Sequence, residues 1–196
     1  MLDATLPIIS GWQNFYIIVG PAAGALLGLQ FVVVALAKDA PIPTSSVGVN
    51  AFTTPTIVHF ATVLSIAAVL SAPWQSLRSP ALCLGVGGIA LALYVLVVAR
   101  RITHMDHYTP VTEDWVWHVV LPLVAYVALV VSALELSAHL ATALFVVAAV
   151  AMLLLFVGIH NAWDIATYIT LQVRSNAEQR AEPHVEQRER ESAPAE

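Results

Sequence analysis

Apolar residues in this chain come in long unbroken runs, not in stripes. The segments PALCLGVGGIALALYVLVVA (80–99) and VVAAVAMLLLFVGI (146–159) carry no charge, and the ionisable residues gather in the intervals between such runs. A helix that is apolar all round belongs in a core or in a bilayer. Crossing roughly 30 Å of hydrocarbon takes about 20 residues at about 1.5 Å each. Segments 12–37, 55–72, 80–99, 115–134 and 138–173 qualify. The pattern therefore predicts an all-α, polytopic integral membrane protein, five transmembrane helices packed as a compact bundle.

The punctuation agrees with that division. Thr54 precedes Pro55 and Ser79 precedes Pro80, each pairing a capping side chain with a proline at the first helical position. Both dipeptides predict helix starts. Thr112, Glu113 and Asp114 open the fourth span with carboxylates near the positive end of its dipole. The interval around Glu135 to Ser137 is so short that spans four and five must be antiparallel neighbours.

Composition narrows the class further. Of 196 residues, 59% are hydrophobic and 11% charged, far from the roughly one quarter charged of an ordinary soluble domain. The membrane domain, 1–173, leaves a tail, 174–196, with four Arg, six Glu and almost no aliphatic residues. Such a tail cannot bury a core and is expected to be disordered or weakly helical on the cytoplasmic side. A net charge of -5 gives no footprint for nucleic acid. Cys83 is the single cysteine, so no disulfide scaffold exists.

Charge also orients the chain. With five spans, Lys38, Arg100, Arg101 and Arg174 flank one side and Arg78 alone flanks the other. By the positive-inside rule this predicts a multi-pass protein of the bacterial inner (plasma) membrane with the N-terminus outside and the C-terminus cytoplasmic. The first run has no Lys or Arg ahead of it and is read as a permanent span, not a cleaved signal. Trp12, Tyr16 and Trp74 fall at the outer interface, and Trp115, Trp117, Trp163 and Tyr168 at the inner one.

Polar residues inside spans are where function is sought. Counting residues from the span ends puts His59, His118 and His160 at one level near the inner side, with Asn161 and Asp164 beside the last. His160 and Asp164 are four apart, so the carboxylate can accept from the imidazole. Positions 160, 161, 164, 167 and 168 are expected to share a face, with Tyr94 and Gln30 as further members of the cluster. The plain alternative is that these histidines are merely interfacial. Against it, polar groups from several spans avoid lipid most simply by facing one another.

Gly20, Gly24 and Gly28 form a small-residue stripe on span one, expected to pack against another helix, and Gly85, Gly87 and Gly88 offer a similar surface on span three. In the inner loop, His104, Asp106 and His107 supply nitrogen and oxygen ligands suited to a transition metal, although two solvated histidines explain the same letters. Two of the three level histidines could instead ligate one haem b, since bis-histidine ligation needs ligands on different helices at one depth. No G-x-S-x-G, H-E-x-x-H, P-loop or C-x-x-C-H pattern occurs, which argues against an enzyme. The expectation is a channel, transporter or accessory membrane subunit with a polar, proton-responsive cavity near the cytoplasmic face. The alternatives are a b-type haem electron carrier, or a structural partner of another membrane protein or of a second copy.

Overall fold

The computed structural model describes residues 2–39, 47–103 and 112–192, which are helical almost throughout and contain no strand. The elements are α1 (Leu2–Asp39), α2 (Val47–Ser71), α3 (Arg78–Thr103), α4 (Thr112–Trp115), a π turn (Val116–Val120), α5 (Leu121–Glu135) and α6 (Leu140–Ser192). Five stretches are long and apolar enough to cross a bilayer: Ser10–Ala35, Thr54–Ser71, Arg78–Arg101, Val116–Glu135 and Leu140–Leu171. The five-helix membrane bundle expected from the sequence is the fold.

Two of the expected helix starts are displaced. Pro55 does not open α2 but lies inside it, eight residues past Val47. The helix continues through the proline at the loss of one backbone hydrogen bond, which neighbouring groups re-satisfy in membrane helices. At α3 the capping hydroxyl is that of Ser76, which accepts from the Arg78 N–H at 3.2 Å, and Ser79 is already in the first turn. Beyond the last span the backbone stays helical to Ser192, so α6 takes in most of the charged tail.

The helices touch in the order α1, α2, α6, α5, α3. Small residues set the closest approaches. A Cβ on Gly20 would stand 3.0 Å from the Ala67 methyl, and one on Gly24 4.0 Å from Leu64, so α1 lies antiparallel on α2. One on Gly158 would stand 2.5 Å from the Phe60 ring, seating α2 on α6. The glycines of span three meet α5: Gly85 faces Ala133, and Gly88 faces Val130 and the Tyr126 carbonyl. Gly28 and Gly87 have nothing within 4 Å. Residues spaced four apart turn about 400°, so a glycine stripe drifts some 40° per step and leaves the contact after two members.

The core of the bundle is built on Tyr126, Phe60, Leu129, Leu154, Val63 and Val147, all fully buried. Outward faces carry large apolar side chains, among them Ile18, Leu82, Val86, Phe145 and Leu134, as lipid contact requires. Hydroxyls within the spans are satisfied on their own helices: Thr62, Ser65 and Ser132 each donate to the carbonyl four residues earlier.

Candidate functional site

Three packing contacts fix one level across the bundle. Gly20 opposite Ala67 and Gly24 opposite Leu64 carry Gln30 of α1 down to the level of His59 on α2. Gly158 against Phe60 puts His59 beside the segment of α6 that holds His160 and Asn161. The Trp117 ring then stacks on His160, with centroids 3.7 Å apart and planes 10° from parallel, which brings the π turn and His118 to the same layer. His59, His118, His160, Asn161 and Gln30 thus come from α1, α2, α6 and the π turn into one slab of the molecule.

The π turn has a visible cause. Pro122 has no N–H to offer the His118 carbonyl, and in a regular helix its ring would collide with that carbonyl. The chain widens by one residue instead, and the Leu121 N–H bonds to the Val116 carbonyl. His118 sits inside the widened turn, buried. Such single π turns recur at functional sites because they re-aim the side chains ahead of them.

Within the slab, His59 is the most enclosed histidine, 1% exposed. Its Nδ1 is hydrogen-bonded to the Tyr126 hydroxyl at 2.7 Å, and Thr62 lies within hydrogen-bonding reach of the same hydroxyl. Tyr94 and His118 are near enough to interact electrostatically with Tyr126 and His59 respectively. His59 Nε2 is buried with no hydrogen-bond partner among the described residues, and so are Gln30 Nε2 and both side-chain atoms of Asn161. Leaving such an atom unmatched costs about 1–3 kcal/mol. Four of them at one level leave donors and acceptors unused inside the bundle.

His160 and Asp164 occupy the rim. His160 Nδ1 lies 3.1 Å from Asp164 Oδ2, near but not aligned as a hydrogen bond, and Nε2 lies 3.9 Å from Glu113 Oε1. Asp164 and Glu113 are more than half exposed, so this arm opens outward. The expected single polar face of α6 is divided. Asn161 turns inward with Ile165, while Asp164 and Tyr168 turn outward with Trp163. A step of one residue is about 100°, enough to separate Asn161 from His160.

Sequence reasoning missed three members. Tyr126 stands alone in LPLVAYVALVV, where an aromatic residue reads as core. Glu113 reads as a helix-start carboxylate, and Trp117 as an interfacial anchor. Their partners become visible only in three dimensions. His104, Asp106 and His107 lie outside the described residues. Among the described residues, no three His, Cys, Asp or Glu side chains are grouped to hold a metal ion. No family model matches the chain, and no curated protein and no solved structure matches it either.

Proposed function

We propose that the chain is a small channel or transporter, or the accessory subunit of one, whose working part is the polar layer formed by Gln30, His59, His118, His160 and Asn161. The observation that carries this reading is the set of buried, unpaired hydrogen-bonding atoms on Gln30, His59 and Asn161 at one depth. Polar groups in hydrocarbon are expensive unless a polar guest compensates them, and they mark ion and proton paths for that reason. Imidazole is the side chain whose unperturbed pKa lies nearest neutrality. When Tyr126 donates to His59 Nδ1, the proton of that ring stands on Nε2, pointing its mobile hydrogen at the layer. The rim carboxylates Asp164 and Glu113 would exchange protons with water. In the plasma membrane of a bacterium, with the N-terminus outside, this layer faces the cytoplasm.

Purified protein in liposomes should pass protons in a pH-dependent way, with flux reduced by His59→Leu and by Asp164→Asn. Flux no higher than from empty liposomes across the pH range would remove the channel and transporter reading.

A second reading rests on the other tautomer. If His59 Nδ1–H donates to Tyr126, Nε2 presents a lone pair, the arrangement by which an oriented histidine ligates a metal or haem iron. Protein purified from haem-replete cells would then show a Soret band that His59→Leu abolishes. A colourless preparation excludes the haem.

A further inference from the structure

Away from the polar layer, α5 and α6 part to leave a groove of about 670 Å³ on the outer surface of the bundle. Its floor is made of small residues, Ala128, Ser132 and Ala143, and its walls of Val124, Val127 and Val131. The valines are about half exposed, so the groove opens to lipid. It runs from Leu123 to Glu135, twelve residues or about 18 Å of helix, close to the roughly 15 Å of hydrocarbon in one leaflet. The far end is its charged end: His139 Nδ1 lies 2.6 Å from Glu135 Oε2, and both side chains are more than half exposed.

We propose that this groove holds one acyl chain of an amine-bearing phospholipid, its headgroup seated on Glu135 and His139. Three properties favour that occupant over another helix. A groove floored by small residues and walled by valines fits a slender flexible chain. Its length ends where the hydrocarbon of one leaflet ends. At that end a carboxylate and an imidazole stand side by side, matching the ammonium and the phosphate of a phosphoethanolamine headgroup. The second carboxylate oxygen of Glu135 accepts from the ammonium, and His139 Nε2 donates to the phosphate. A choline headgroup has no N–H to offer, and a glycerol headgroup has no positive charge.

The test uses the full chain in detergent with phosphatidylethanolamine, phosphatidylcholine and phosphatidylglycerol of identical acyl chains, read by native mass spectrometry. The ethanolamine lipid should be retained about threefold over either other, the scale of one part-exposed ion pair. Glu135→Gln should lower retention of the ethanolamine lipid to the level of the other two, whose own retention is unchanged. Val127→Trp, at an exposed wall position, should lower retention of all three without disturbing the fold. Equal retention of the three lipids by the parent protein would overturn the headgroup assignment. Retention untouched by Val127→Trp would overturn the groove. A dimer joined through Val127→Cys in a Cys83→Ser background would show a second copy covering this face, and overturn both.

Discussion

Single atoms decide where this bundle tolerates change. The ring of Phe60, 1% exposed, lies where a Gly158 side chain would be, and has no room to withdraw. At Gly88 the obstacles include backbone, with the Tyr126 carbonyl 3.3 Å from the would-be Cβ. Gly158→Ala and Gly88→Ala should each destabilise by about 1–3 kcal/mol, as overpacking does. Gly28→Ala, with open space around it, should stay within about 1 kcal/mol of the parent. Thermal unfolding in detergent would rank the three. Tyr126→Phe tests the polar layer in the same assay. It removes one interhelical hydrogen bond, worth about 0.6 kcal/mol in membranes, and leaves His59 Nδ1 unmatched. A loss of about 1–2 kcal/mol is expected. The depth of His59, His118 and His160 was legible by counting 1.5 Å steps along each span. Their partners were not, because Tyr126 and Glu113 join the site through side-chain reach between helices, which a one-dimensional count does not contain.

At the scale of elements, hydrophobic runs revealed the five helices that are long and apolar enough to cross a bilayer among the described residues, since a bilayer imposes a length that composition cannot hide. Starts and irregularities were less legible. Pro55 reads as a beginning because proline suits the first turn, yet helices shielded from water carry it internally. Pro122 was the only letter announcing the π turn, and the consequence follows from geometry. In Pro122→Ala the turn can tighten to α, which removes one residue from the spiral and rotates Thr112 to Trp117 by about 100° about α5. Trp117 would then leave the His160 ring. In a Cys83→Ser background, Trp117→Cys and His160→Cys should be bridged efficiently by a short bismaleimide. Adding Pro122→Ala should lower the yield several-fold, and an unchanged yield would show that the proline is not what holds the turn.

For the whole molecule, five spans make the two ends of the bundle chemically unequal, and topology is the property that decides which compartment the end bearing His59, His118 and His160 faces. Lys38, Arg100, Arg101 and Arg174 against Arg78 predict that a phosphatase active only when exported is silent when fused at Ser192 or at Ser46. Activity at Ser192 would reverse the orientation or the span count. The tight connection between α5 and α6 bears on how the protein reaches that arrangement during synthesis. The Ala138 and His139 N–H groups both bond back to the Glu135 carbonyl, so almost no chain is available to pause between the two helices. Two apolar helices so closely joined are expected to enter the bilayer together as a helical hairpin, with the Glu135–His139 turn at its tip. Glu135 and His139 travel as a contact pair 2.6 Å apart, and the contact between them offsets part of the cost of stripping their polar groups of water. Insertion of the last two spans is therefore expected to be concerted, with the more apolar Leu140–Leu171 stretch helping Val116–Glu135, interrupted by its π turn and proline, into the bilayer.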